Sequence, residues 1–519
     1  SYTMLLLLPL LLITPSTLAS ECVPRTFQGD SFVCVCNSDY CDLPGVIKVP
    51  AAGSHTLITT SRDEHRFSIQ NGSNDALPGE GSSVVVTLNH QERFQAMMGF
   101  GGAFTDATGI NILKLTEESQ EWLMKSYFSP EGIEYNLCRV PMAGSDFSTR
   151  PYSYDDVEGD VDLVHFNLTT EDYKYKLPFI HRAQELAERE LLLFGSPWSP
   201  PAWMKENGMF NGSGGLLNEM WQPYADYFVK FVQAYSAEGA PIWGLTTQNE
   251  PLTGFQDWRW NTCAWTAEGQ RDWIKTTLGP TLQAAGMRHL QLMVLDHNRD
   301  ALPWYPATIL EDPESNQFVD GVAIHWYDDD NTGPEVMSEL HSLFEDKFLL
   351  YTESCDGWDA APGERVILGD WYRAESYAAN IIDDVNHWST GWVDWNMALD
   401  IDGGPNWAYN FVDSPIIIDE KSSEFYKQPM FYSMGHFSKF IAPGDRLISS
   451  TVSSGYEHVR VAAFQHGSTD TASTIVLLNM GEDMETVTVD VRGSQEFVNF
   501  VMPAKSIVSV LVNMAATAH

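Results

Sequence analysis

Between about residue 94 and residue 400 the chain alternates short apolar runs with longer amphipathic stretches, repeated without long gaps. Unbroken apolar runs read as strands buried on both faces, and the stretches between them as helices that cover a parallel sheet. The predicted strands are Phe94–Phe104, Tyr135–Met142, Leu191–Ser196, Ile242–Thr247, Leu290–Leu295, Val319–Trp326, Phe348–Thr352 and Trp392–Ala398. Helices are predicted over Glu117–Phe128, Glu171–Glu188, Trp221–Ala237, Ala267–Ala285 and Glu375–Trp388. Eight such strands suggest a closed (β/α)8 barrel. A doubly wound open sheet is the runner-up, but Gly99, Gly101 and Gly102 lack the G-x-G-x-x-G spacing that would support it.

The pattern changes on both sides of this block. Residues 47–92 hold short β-rich runs such as His55–Thr60 and Val84–Leu88, and after residue 445 helical periodicity gives way to Val459–Phe464, Thr474–Asn479, Thr486–Val491 and Ser506–Val512. These flanks read as one β-sandwich assembled from both ends of the barrel. No repeat of solenoid or propeller period is present.

At the N-terminus, apolar Leu5–Ile13 followed by Thr17, Ala19 and Ser20 reads as a signal peptide over residues 1–19. That run is too short to cross a bilayer and no other apolar run is long enough, so the mature chain is expected to be soluble. Cys22, Cys34, Cys36 and Cys41 then fall close together, which suits a disulfide knot in an oxidising compartment, with three pairings open. Zinc is the weaker reading, since there is no C-x-x-C and no histidine between Cys22 and Cys41. Cys138, Cys263 and Cys355 are expected to be buried thiols, and sequons at Asn71, Asn167 and Asn211 are candidate glycosylation sites.

Composition narrows the function classes. With 30 basic against 70 acidic residues the net charge is −40, which repels nucleic acid and makes a nucleic-acid partner untenable. The 17 Trp and 20 Tyr argue against the other meaning of such charge, disorder.

In a barrel, chemistry gathers where strands end at the C-terminal face. The predicted ends carry Asp146, Trp198, Asn249-Glu250, Asp296, His325-Trp326-Tyr327, Glu353 and Asp394-Trp395-Asn396, a polar set with aromatic walls. The stretch Thr246-Thr247-Gln248-Asn249-Glu250-Pro251 supplies the first catalytic candidate, Glu250, and Glu353 the second. Two glutamates facing each other across a barrel mouth suit retaining glycoside hydrolysis, in which one protonates the leaving oxygen and the other attacks the anomeric carbon. The donor then needs a raised pKa and the nucleophile must stay ionised, a split that mutual repulsion and unequal burial can produce. Asn249 is placed to hold the sugar 2-hydroxyl. His325 is read as a packing or hydrogen-bonding residue rather than a metal ligand or base, and Asp296 as support for a neighbouring loop. The chain has no G-x-S-x-G, H-E-x-x-H or P-loop, and no metal or cofactor is expected.

Several stretches, in order, carry a specific likeness: the four-cysteine knot, Gly99-Phe100-Gly101-Gly102-Ala103, Arg139-Val140-Pro141-Met142, Ser196-Pro197-Trp198, Asn249-Glu250-Pro251, His325-Trp326-Tyr327 and Gly403-Gly404-Pro405-Asn406-Trp407. Over nearly all of the mature chain they resemble the lysosomal glucosylceramidases, acid β-glucosidases that hydrolyse glucosylceramide. The resemblance implies Glu250 as acid/base and Glu353 as nucleophile, with Asp146, Trp198, Asn249, Trp395 and Asn410 holding the glucose and Tyr327 near the nucleophile. It also implies retention of the β-anomer, glucosylceramide met at membrane surfaces, a saposin-type activator, and delivery to the lysosomal lumen by a membrane sorting receptor. For the architecture it implies a small disulfide-bonded β subdomain from residues 20–46 plus about 400–428. The β-sandwich would comprise 47–92 plus about 445–519, and the catalytic barrel 93–399 plus about 429–444. Two features depart from the family pattern. Trp258-Arg259-Trp260-Asn261 occupies the loop after the acid, and the charge of −40 is more acidic than work at anionic lipid suggests, unless protonation in the lysosome relieves it. The competing readings are a related retaining β-glycosidase for another sugar or aglycone, and a non-catalytic glycolipid-binding protein, against which the presence of both glutamates argues.

Overall fold

The apolar runs become the eight parallel strands of a closed barrel in the computed structural model, which describes residues 20–515. The expected signal peptide over 1–19 lies outside the described residues. The strands are β1 (Gly99–Ala103), β2 (Leu137–Met142), β3 (Leu192–Pro197), β4 (Gly244–Thr246), β5 (Gln291–Asn298), β6 (Gly321–His325), β7 (Phe348–Glu353) and β8 (Ser389–Asn396), each beside its neighbour in the chain, with β8 closing on β1. Helices fill the intervals. Glu117–Phe128 begins where the Thr116 hydroxyl accepts the Ser119 N–H, and Trp371–Val385 where the Asp370 carboxylate accepts that of Arg373.

Strand periodicity builds the barrel interior in layers. Leu137, Phe194, Met293, Ala323, Leu350 and Val393, from six of the strands, meet in one apolar cluster. Two residues further along β2, β3, β6, β7 and β8, the same face carries Arg139, Ser196, His325, Thr352 and Trp395. An apolar floor therefore supports a polar layer, and the functional cavity opens above it.

The observed elements differ from the predicted ones in particular places. The first predicted strand, Phe94–Phe104, divides: Phe94–Ala96 ends the long strand Val84–Ala96 of a separate sheet, and only Gly99–Ala103 enters the barrel. Glu171–Glu188 is a π turn, Asp172–Lys176, followed by the α-helix Leu177–Leu186, and Ala267–Ala285 is likewise broken by a π turn at Ile274–Leu278. Helices Trp304–Leu310, Glu335–Leu343 and Pro429–Ser438 were not anticipated.

Outside the barrel, nine strands form one sheet in the order Phe497–Met502, Glu485–Asp490, Val84–Ala96, Arg446–Val452, Val459–Gln465, Ala472–Asn479, Ser506–Asn513, Ser54–Ser61, Ser68–Ser73. The expected β-sandwich is this sheet, which curls around one core until its ends touch through a bridge between Asp75 and Phe497. Val86, Val461, Leu477, Val489 and Val510 share the enclosed core, while Phe464, Val476, Leu478 and Ile507 on the other face pack into the main barrel core. A third, five-stranded sheet joins Pro24–Thr26 and Phe32–Cys36 to Glu424–Lys427, Ile416–Asp419 and Leu399–Asp400. The cysteines pair as Cys22–Cys34 and Cys36–Cys41.

Candidate active site

A cavity of about 380 Å³ opens at the C-terminal ends of the barrel strands. Asp146, Trp198, Asn249, Glu250, Tyr327, Glu353, Trp395 and Asn410 all line it. Of the other predicted strand-end residues, Asp296 and His325 lie beneath it, Asn396 accepts the Thr105 hydroxyl at 2.7 Å, and Asp394 and Trp326 turn away. Asp394 accepts the Tyr377 hydroxyl at 2.6 Å, and Trp326 packs against Tyr377 and Trp392. Both belong to the face opposite their neighbours Trp395 and Tyr327, as strand alternation requires.

Beneath the cavity lies a fully buried ionic network centred on Arg139. Its guanidinium donates to Glu353 Oε2, to Asn249 Oδ1 at 2.8 Å, to Asp296 Oδ2 at 2.7 Å and, through Nε, to Ser196 Oγ at 3.1 Å. Asp296 also accepts the hydroxyls of Thr246 and Thr352, each at 2.7 Å, and lies 2.9 Å from His325 Nε2. It therefore anchors Arg139 and His325 inside the barrel, rather than supporting a loop as its position in the sequence suggested. The other nitrogen of His325 reaches Glu250 Oε1 at 3.2 Å. Tyr327 donates its hydroxyl to Glu353 Oε1 at 2.8 Å. Glu250, Glu353 and His325 each place an atom within 4.8 Å of the others. That spacing could suit a cation, but the Arg139 and His325 charges already face the two carboxylates, so no metal role follows.

On one side of the cavity, the Asp146 carboxylate accepts the side-chain amides of Asn406 and Asn410, both at 3.1 Å. Trp198 and Trp395 stack with ring centroids 5.0 Å apart, and the Arg139 guanidinium lies 4.6 Å from the Trp198 ring centre. Trp258 and Trp260, stacked at 4.5 Å, form part of the rim.

Electrostatics splits the two glutamates. Burial pushes Glu250 up, but the hydrogen bond and charge of His325 outweigh it and hold Glu250 below the ordinary glutamate value. Burial raises Glu353, the charges of His325 and Arg139 oppose it, and the neighbouring Glu250 pushes it further up, leaving it above the ordinary value. The split thus runs opposite to the one expected for a donor at Glu250, because His325 adds a hydrogen bond to its charge on Glu250, whereas on Glu353 burial and the neighbouring Glu250 outweigh the charges of His325 and Arg139. His325 itself is raised to about 9: burial opposes its charge, but Glu353 and Asp296 outweigh burial. Burial lifts Asp146 to about 7, against the amides that favour its charged form.

Of this network, Arg139 was visible in the sequence only as part of a motif, and Asn406, His297 and Asn298 received no role. A charged residue inside a predicted buried strand was the available signal for Arg139. Of the sequons, Asn71 and Asn167 are exposed, whereas Asn211 is half-buried with its amide donating to the Arg259 carbonyl at 3.3 Å. Cys138, Cys263 and Cys355 are buried and unpaired.

Comparison with known proteins agrees with this geometry. Residues 97–441 match the model of the glycosyl hydrolase family 30 TIM-barrel domain. "Putative glucosylceramidase 3" of Caenorhabditis elegans is 46% identical over 440 residues, covering 83% of this chain and 84% of the relative. Lysosomal acid glucosylceramidase of Mus musculus is 41% identical over 480 residues, covering 91% and 92%. Among solved structures, SrfJ from Salmonella typhimurium superposes with a TM-score of 0.81 at 25% identity, covering 89% of this chain and all of that one.

Proposed function

The chain belongs to glycosyl hydrolase family 30, and from that premise we propose that it is a retaining β-glucosidase that hydrolyses glucosylceramide to glucose and ceramide by double displacement in acid. One observation carries the mechanism: carboxyl oxygens of Glu250 and Glu353 face each other within 4.8 Å across the barrel mouth. Retaining pairs lie about 5–5.5 Å apart, whereas inverting pairs stand roughly 6.5–9.5 Å apart to admit a water between them. The names of the relatives support the sugar and the lipid.

Glu353 attacks the anomeric carbon while Glu250 gives its proton to the leaving oxygen. Glu250 then takes a proton from the water that releases glucose from Glu353. Arg139 and Tyr327, both donating to Glu353, fix the direction of attack and stabilise the carboxylate when it leaves the sugar. The productive form has Glu250 protonated and Glu353 ionised. A pair with one carboxyl protonated and the other ionised is most populated between the two pKa values of the pair, which supports an optimum at acidic pH. Asp146, Asn410 and Asn249 hold the hydroxyls of the glucose, and Trp198 and Trp395 supply an aromatic wall.

The setting that completes this reading is the lysosomal lumen, reached through the secretory pathway with the help of a membrane sorting receptor. There the enzyme works at the membrane surface with a saposin-type activator. Among the described residues no helix is long and apolar enough to cross a membrane.

A fluorogenic β-glucoside assay between pH 4 and 7, with the released anomer followed by NMR, tests the reading. β-Glucose should appear first and turnover should peak in acid. Folded protein that turns over nothing, that releases α-glucose first, or that prefers β-galactosides would overturn it.

A further inference from the structure

In strand β5, Leu295 and Asp296 both hold positive φ, 75° and 52°, and the pairing with β6 slips between Leu295 and His297. A non-glycine residue in the left-handed region costs on the order of 1–2 kcal/mol, so two in succession at a bulge mark a feature that the surrounding structure enforces. The bulge turns Asp296 inward to Arg139, His325, Thr246 and Thr352, and puts the next two side chains, His297 and Asn298, on the wall of the catalytic cavity.

Neither side chain is satisfied there. His297 is only 9% exposed, and its Nδ1 is buried without a partner, as is Asn298 Oδ1. Burial pushes the imidazole down to about 4, against the nearby charge of Glu250, so the ring is neutral in the working range and offers one donor and one acceptor. Buried polar groups left unpaired cost roughly 1–3 kcal/mol each, a penalty that a turn of either side chain toward polar atoms of a bound ligand would remove.

The position of the pair decides which part of the ligand it meets. Around the barrel β5 stands opposite β1, whereas Asp146 and Trp395 follow β2 and end β8, the two strands flanking β1. His297 and Asn298 are therefore across the mouth from the sugar anchors Asp146 and Trp395, and next to the strand that leads into Asn249 and Glu250, where the leaving group departs. Resting on the glucosidase reading above, we propose that His297 and Asn298 form a hydrogen-bonding subsite for the leaving group. It selects an aglycone that bears a hydroxyl and an amide close to the glycosidic oxygen, as ceramide does, over a plain alkyl chain.

The test compares two β-glucosides of primary alcohols in the same detergent micelles, a short-chain glucosylceramide and octyl β-glucoside. Their leaving oxygens make similar demands on Glu250, and they differ in the polar groups beyond it. His297→Leu and Asn298→Leu should each lower kcat/KM for the ceramide glycoside about tenfold, mainly through KM, and lower that for the octyl glycoside about two- to threefold. His297→Gln, which keeps a donor and an acceptor, should recover most of the loss. Equal losses on the two substrates, or no loss on either, would overturn the inference. Wild-type protein that cleaves neither glucoside would instead overturn the functional reading, and this subsite with it.

Discussion

At the scale of single residues, the site is a problem of dividing few charges among many carboxylates. Asp296, Glu353 and Glu250 share two cations, Arg139 and His325, both wholly buried beneath the cavity. Because the charge of His325 lowers both glutamates, its loss has a definite sign. In His325→Asn both limbs of the pH–kcat/KM profile should move to higher pH and the optimum toward neutrality, with a lower maximum. A profile that keeps its position would contradict the electrostatic role given to His325. Glu250→Gln should slow alkyl glucosides by about a hundredfold or more and activated aryl glucosides far less, since only poor leaving groups need the proton. Steady-state kinetics on both classes checks this, and equal losses would remove the donor role. Glu250 and Glu353 were legible in the sequence because each ends an apolar run with a carboxylate. The sense of their pKa split was not, because it depends on which cation lies against which carboxylate, and that emerges only when β2, β6 and β7 close around one interior.

The elements show why patterns read well and their edges poorly. Eight apolar runs marked the barrel strands because strands buried on both faces are short unbroken apolar runs, set apart by length from the amphipathic helices between them. Phe94–Ala96 was misassigned because the strand of the curled sheet runs almost directly into β1, with no turn residue to separate them. The bulge in β5 was invisible for a related reason: Leu295 and Asp296 are ordinary strand-end residues by composition, and their left-handed backbone is imposed by tertiary contacts. The joint between barrel and curled sheet has its own consequence. His436, in the helix Pro429–Ser438, sits between Ser509 Oγ at 2.8 Å and Thr60 Oγ1 at 2.9 Å, and burial pushes it down to about 3. Its folded value lies below the unfolded value of about 6.5, so the unfolded chain takes up the proton first and stability falls as pH drops below 6.5. This one group should cost about 2 kcal/mol between pH 7 and pH 5. Chemical denaturation at the two pH values should show that component in the wild type and not in His436→Gln. Identical pH dependence in the two would mean that His436 is not buried in its neutral form.

For the whole molecule, the charge of −40 opposes the approach to anionic lipid that a glycolipid substrate requires. Acid reduces the opposition, since exposed members of the 14 histidines become charged and part of the surface carboxylate is neutralised. Binding to vesicles containing anionic phospholipid should therefore be several-fold stronger at pH 5 than at pH 7 in a sedimentation assay, and equal binding would contradict this account of membrane contact. How the flanks on either side of the barrel join into one curled sheet could be anticipated only as strands in search of partners. Its closure through Asp75 and Phe497 is a long-range pairing that no local pattern encodes. Everything proposed for the molecule turns on the division of labour between two glutamates at the barrel mouth. The most direct measurement is to trap the intermediate with an activated 2-deoxy-2-fluoro-β-glucoside and map the labelled peptide by mass spectrometry. The account predicts stoichiometric inactivation with a single fluoroglucosyl group on Glu353, whereas a label on any other residue, or continued turnover without a trapped adduct, would contradict it.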